Sequence, residues 1–273
     1  MSDSAFSKTF NNVIRRPELA SLVGAIVIFI LFVAVAPPFR SIDAFSTVLY
    51  ASSTMGIVAL AVGLLMIGDE FDLSSGVAVT STALIATMLN YNLHLNSWVG
   101  VFISLASALT IGALNGVLVT RTGIPSFLIT LSVFLMLQGL NLAVTKFVTG
   151  RGATPIISDM QGFPSAQKVF SSTLHIGPMD LRVTVLWWLL FVGAASYLLF
   201  RTRFGNWIFA VGGDKDAAYA VGVPVRRVKI ILFMFVGFAT WCTTFSPLTL
   251  FRRVKALVMN SCTSLLPLSV VVP

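Results

Sequence analysis

Residues 47–67 read TVLYASSTMGIVALAVGLLMI, residues 68–76 read GDEFDLSSG, and residues 77–95 read VAVTSTALIATMLNYNLHL. Each flanking run approaches the roughly 20 mainly apolar residues that a helix needs to cross a bilayer. The interruption between them holds Asp69, Glu70 and Asp72, three carboxylates within four positions, bracketed by Gly68 and Gly76. Charge at membrane depth is costly and marks functional sites. A helix broken at glycine can turn its polar ends toward a cavity instead of lipid. Asp72 is placed to accept a backbone N–H from Ser74 or Ser75 as the N-cap of the second helix. Three readings follow: a capped cytoplasmic turn, the lining of a pathway or gate using Asp69, Glu70, Asp72 and Ser74, or a relay for protons or cations.

Working outward, five more runs qualify as spans: 19–36, 98–120, 126–144, 184–200 and 230–250. Strict period-two alternation is absent, which leaves helices as the means of spanning. The fold class is therefore all-α, a polytopic helical bundle broken near 68–76. The 273 residues are 56% hydrophobic and only 10% charged, with a mean hydropathy of +0.92. A soluble domain carries about 25% charged residues, so the apolar content calls for lipid as solvent. Arg15 and Arg16 precede the first run, and Ala34-Val35-Ala36 imitates a signal cleavage site. The run is long for a signal peptide and is read as a retained span. The domains are then a cytoplasmic segment at 1–18, a membrane domain at 19–250 and an atypical tail at 251–273.

The net charge of +8 falls in short connections, which suits membrane orientation and not nucleic-acid binding. With the N-terminus cytoplasmic, the inside segments hold ten basic residues: Lys8, Arg15, Arg16, Arg121, Arg201, Arg203, Lys215, Arg226, Arg227 and Lys229. The outside segments hold five: Arg40, Lys146, Arg151, Lys168 and Arg182. The excess inside follows the positive-inside rule. Arg252, Arg253 and Lys255 fall outside by parity and oppose it. The segment 145–183, rich in Gly and Pro, is expected to be a long external loop, either a partly ordered cap or a docking surface.

The longest cytoplasmic connection, 201–229, carries a second constellation. Asp214 can cap a short helix through Ala217, Ala218 and Ala220, which Gly222 ends in the left-handed conformation and Pro224 keeps from continuing. So short a helix is unstable alone in water and needs a surface to pack on. Gly205, Ala210, Gly212, Gly213, Asp214, Ala217, Ala218 and Gly222 are the candidate coupling residues, read as docking on a cytosolic partner. Substitutions such as Gly212→Trp or Ala218→Arg are expected to obstruct that docking. Asn115, Gln138 and Asn141 are amides within spans. They serve either as interhelical glue or as partners for a hydroxyl-rich solute.

Searches for catalytic chemistry are negative. There is no Gly-x-x-x-x-Gly-Lys-Ser/Thr phosphate loop, no His-Glu-x-x-His and no Gly-x-Ser-x-Gly elbow. His94 and His175 read as interfacial or loop residues. Cys242 and Cys262 are neither a disulfide framework nor spaced for a metal. No catalytic residue and no metal ligand is assigned.

Gly68 to Gly76, close to Gly-Gly-x-Asp-Leu-Ser-x-Gly, resembles the permease subunits of bacterial ABC sugar importers of the ribose/xylose/fructose type. So do Thr202-Arg203-Phe204-Gly205 through Ala210-Val211-Gly212-Gly213, Ala217-Ala218 and Gly222, on to Val228-Lys229. Asn115-Gly116 and the run from Gly123 to Leu131 look similar too. Asp69 stands where the family usually has a second glycine. From about Ser246 onward the sequence departs, as if a truncated chain had its tail replaced.

The resemblance implies a multi-pass protein of the bacterial inner membrane that moves a monosaccharide or polyol. It implies a periplasmic sugar-binding protein, a second permease subunit forming a homodimer or heterodimer, and a cytosolic ATPase dimer on the 214–221 helix. The chain itself would bind no cofactor, ATP being used by the partner, and would not be an enzyme. The competing expectation is an ion-coupled secondary transporter using Asp69, Glu70 and Asp72.

Overall fold

The structure, a computed structural model, describes residues 17–94, 96–150, 161–177 and 179–245. The N-terminal segment before 17, part of the external loop, the end of the seventh run beyond 245 and the atypical tail with Cys262 lie outside the described residues. All seven apolar runs coincide with helices: α1 (Pro17–Val35), α2 (Ile42–Ile67), α3 (Ser75–Leu93), α4 (Ser97–Thr122), α5 (Ser126–Thr149), α7 (Val183–Arg201) and α10 (Val225–Thr244). Between them fall α6 (Phe163–Ser171), α8 (Arg203–Gly213), α9 (Lys215–Ala220) and a hairpin of β1 (Thr173–Ile176) and β2 (Met179–Arg182).

Four helices, α2, α4, α5 and α7, are long and apolar enough to cross a membrane by length and composition. The α3 and α10 helices are more polar because they are inner helices. Thr80, Ser81, Thr82, Thr87 and Asn90 of α3, and Thr240, Thr243 and Thr244 of α10, are all buried. Polar groups away from lipid can bond across helices, and Thr82 Oγ1 lies 2.6 Å from Thr244 Oγ1. By contrast α5 leaves Leu128, Leu135, Met136, Leu140 and Phe147 exposed, the arrangement expected of a face toward lipid.

The chain divides into two compact units. In the first, residues 1–49 with 175–180, α1 ends in the 3-10 turn Pro37–Arg40. Arg40 covers the open carbonyls of α1, donating to Val33 O at 2.6 Å and Ala34 O at 2.9 Å. A cation there also complements the helix dipole.

The second unit, residues 50–174 and 181–273, holds the bundle. Its centre is the crossing of α4 and α10, where glycines let two backbones meet. A Cβ at Gly116 would lie 2.7 Å from Ile230 Cα, one at Gly112 would lie 2.9 Å from Met234 Cα, and one at Gly237 would strike the Ala108 carbonyl. Small residues at such spacing are the means of close packing in lipid, where water does not drive helices together.

The segment expected as a loop from 145 is more ordered than its Gly and Pro content suggests. The α5 helix runs on to Thr149, and α6 and the hairpin follow. Three indoles organise this region. Trp98 donates to Ser165 Oγ at 2.9 Å, Trp187 to the Val169 carbonyl at 3.2 Å, and Trp241 to the Val101 carbonyl at 3.1 Å. Phe170 of α6 stacks on Trp187 and meets Trp241 edge-on. Indoles that bury a ring while satisfying an N–H suit the end of a membrane bundle.

Candidate functional site

The interruption is built by a helix ending. Gly68 N donates to Leu64 O, Asp69 N to Met66 O at 3.0 Å and Glu70 N to Leu65 O at 3.2 Å. The last two bonds, with Asp69 at φ +62°, form a Schellman ending in which the left-handed residue stands just past the helix. Glycine is the natural occupant of that position. Asp69 can hold this turn, since Asp tolerates the conformation better than most L-residues.

Beyond Glu70 the chain descends into the bundle. Phe71 N donates to Ser126 Oγ at 3.0 Å and Leu73 N to Thr130 Oγ1 at 3.2 Å. Both acceptors lie on the first turns of α5, so side chains of a neighbouring helix satisfy backbone N–H groups that the break leaves outside any helix. Asp72 Oδ1 accepts from Ser74 N at 2.8 Å and Ser74 Oγ at 2.6 Å, and Asn115 Nδ2 donates to Ser74 Oγ at 2.8 Å. Asp72, Ser74 and Asn115 are 4%, 0% and 0% exposed. Asn115 stands seven residues inside the end of α4 at Thr122, a depth of about 10 Å at 1.5 Å per residue. The segment is therefore re-entrant, which differs from a solvated turn. Asp72 also differs from the expected N-cap. It closes an Asx turn on Ser74, and α3 begins at Ser75 with Ser74 O accepting from Val77 and Ala78.

Glu70 has a partner 159 residues away: Lys229, in the first turns of α10, forms an ion pair with it, each side chain only 9% exposed. The pair lies in the wall of a crevice of about 430 Å³ lined also by Asp69, Thr120, Gly123, Ser126, Lys215 and Arg226. Ser126, Thr130 and Lys229 were not singled out as site residues from sequence. The signal available for them is that Ser126 and Thr130 lie within the family-like run from Gly123 to Leu131, and that Lys229 ends the run from Thr202.

The candidate coupling residues separate by face. Thr202 Oγ1 caps α8 by accepting from Gly205 N at 3.1 Å. Asp214 caps α9 as expected, accepting from Asp216 N at 2.9 Å and Ala217 N at 3.0 Å. These two amides hold its carboxyl below the usual range, the Ala217 bond having the larger effect. Gly222, at φ +85°, ends the turn. Gly205 and Ala218 are buried, and Ala210 packs against the main core. A Cβ on Gly212 would fall on the Ile67 carbonyl, and Gly68 Cα lies beside it. Gly212→Trp and Ala218→Arg would thus disrupt packing within the chain, a correction to the expectation that they obstruct docking. The outward face carries Gly213, Asp214, Ala217 and Gly222 with Tyr219 and Val221, which are 76% and 79% exposed.

The remaining amides stay apart from this network. Asn141 and Gln138 lie two to three turns further along α5, and neither side chain bonds to it. Among the described residues there is no group of three or more His, Cys, Asp or Glu able to hold a metal.

A broken membrane helix whose backbone is served by adjacent helices, with a capped connection packed against its end, is the construction of a multi-spanning permease. The chain belongs to the family described as branched-chain amino acid transport system / permease component, whose model matches residues 44–245. It is 28% identical over 223 residues to the ribose import permease protein of Escherichia coli, covering 81% of this chain and 65% of that one. It is 30% identical over 232 residues to the autoinducer 2 import system permease protein of Klebsiella pneumoniae, covering 84% and 62%. Against the galactose/methyl galactoside import permease protein of Salmonella typhimurium it is 30% identical over 212 residues, covering 74% and 61%. The chain thus spans less than two thirds of the length of these curated relatives. No solved structure matches it.

Proposed function

We propose that the chain is a membrane-spanning subunit of an ATP-driven importer that carries a monosaccharide or related polyol across the bacterial inner membrane. The observation that supports this best is the seating of the α8–α9 connection on the broken helix. One face of the connection is locked against Ile67 through Gly212. The other turns Tyr219 and Val221 outward. Two large apolar side chains so exposed on a rigid, capped helix suit a protein partner. That partner is a dimer of ATPase subunits, which binds the ATP; this chain binds none.

A periplasmic sugar-binding protein delivers the solute, and a second permease subunit completes the path. The import names of the relatives, ribose and galactose among them, support the sugar class. The N-terminus is cytoplasmic in this reading, so Arg121, Arg201, Arg203, Lys215, Arg226, Arg227 and Lys229 lie on the positive side. Asp69, Glu70, Asp72, Ser74 and Asn115 then serve the inner gate, with Gln138 and Asn141 further along the path. The ion-coupled alternative needs a carboxylate that is buried in the bundle and free to bind a cation. Asp69 is exposed, Glu70 is paired and Asp72 is hydrogen-bonded, so the geometry offers it little.

The test is co-purification with the ATPase, followed by uptake into vesicles. Tyr219→Ala combined with Val221→Asp is expected to lose the ATPase and ATP-dependent uptake. Thermal stability should stay within about 0.5 kcal/mol, as is usual for surface substitutions. Retention of the ATPase by this variant, or uptake driven by a proton gradient without ATP, would overturn the proposal.

A further inference from the structure

The Glu70–Lys229 pair has a place in the fold that no local motif accounts for. Removing two charges from water costs several kcal/mol per ion, and a buried pair is often no more stable than apolar side chains of the same size. Stability alone is therefore a weak reason for the pair. Its position is more telling. Glu70 closes the Schellman ending of α2 and is the first residue of the re-entrant segment. Lys229 follows Pro224 by five residues, where the α8–α9 connection has just passed into α10.

The break is thus held at two points, by the connection at Gly212 and by the start of α10 at Lys229. At Gly212 the two backbones meet with no room for even a methyl group. At Lys229 the contact is a charge pair beside a crevice of about 430 Å³, on the side where Ser126 begins α5. The exposed residues Tyr219 and Val221 lie on the chain between these two points.

We infer that Glu70 and Lys229 are positioning residues, a strut that carries movement of the α8–α9 connection into the re-entrant segment. The movement changes the bonds of Phe71 to Ser126 and of Leu73 to Thr130, and with them the inner end of the path. This rests on the reading of the chain as an ATP-driven permease subunit. The strut acts through charge, and neutral replacements of equal size would fill the space without carrying the force.

The deciding variant is Glu70→Gln with Lys229→Met in the full chain, reconstituted in vesicles with its ATPase and binding protein. Removal of both charges together leaves no unpaired ion in the pair, so the complex is expected to assemble with its ATPase. The solute moved per ATP hydrolysed should fall about tenfold, the size of an ordinary coupling free energy between sites. The exchanged pair, Glu70→Lys with Lys229→Glu, should recover most of that ratio. A merely structural pair would change the yield of folded complex and leave the ratio unmoved. That result, or a neutral pair that transports at the full ratio, overturns the strut. Wild-type vesicles with no ATP-dependent uptake would instead overturn the permease reading beneath it.

Discussion

Substituting Asp69 tests the helix ending on which the site depends. The residue sits at φ +62°, with its N–H on Met66 O and the following N–H on Leu65 O. An ordinary L-residue pays roughly 1–2 kcal/mol in this region. Glycine escapes that strain but loses about 0.5–1 kcal/mol through its freer unfolded chain. The difference favours Gly over Ala at this position by about 0.5–1 kcal/mol, with Asp between them because it tolerates the left-handed region. If residue 69 instead continued α2, the order would reverse, Ala exceeding Gly by about 1 kcal/mol.

Thermal unfolding of the detergent-solubilised protein separates these cases. A change of 1 kcal/mol moves the midpoint by roughly 2–4 °C in a chain of this size class. Asp69→Gly is expected to raise Tm by about 1–2 °C and Asp69→Ala to lower it by a similar amount. Asp69→Asn controls for charge, since it keeps the backbone preference and removes a carboxylate from the crevice that Lys215 and Arg226 also line. It should change little. An Ala variant more stable than the Gly variant would refute the Schellman ending.

Two further outcomes follow from the same geometry. Ser126→Ala leaves the Phe71 N–H without its acceptor and Thr130→Val leaves that of Leu73, and each should destabilise by about 1–3 kcal/mol; thermal melts in which both variants match wild type would exclude those bonds. At Asp214 the carboxyl is held below its ordinary value in the folded chain, so the stability of its cap is fully present above that ordinary value. It is lost as pH falls through the depressed one. Hydrogen exchange at Asp216 and Ala217 should therefore quicken on acidification, beyond its intrinsic pH trend, and Asp214→Asn should remove that excess.

Much of this architecture is legible in the chain because its determinants are local. Seven apolar runs became seven helices, since a length of apolar residues is a property of the run itself. Asp214 and Gly222 were found because a cap and a left-handed stop lie within a few residues of the helix they end. Asp72 shows the limit of such reasoning. Its bond to Ser74 was foreseen, but whether it capped the helix or closed a turn before it depended on how deeply the segment enters the bundle. That depth is set by Asn115, Ser126 and Thr130, on two other helices.

The faces of the α8–α9 connection were hidden for a related reason. A run of Gly and Ala signals close approach and helix formation without saying which neighbour approaches. Gly212 meets Ile67, and Ala218 packs inward, so the residues that made the motif recognisable hold the connection in place. Tyr219 and Val221, which carry no motif, form the exposed surface. Lys229 was even less legible. In sequence it is one of several basic residues near a membrane boundary, where the positive-inside rule accounts for all of them equally. Only the fold separates it from Arg226 and Arg227, which are exposed, by burying it against Glu70. Among the described basic residues, Lys229 is thus distinguished by its partner at the break.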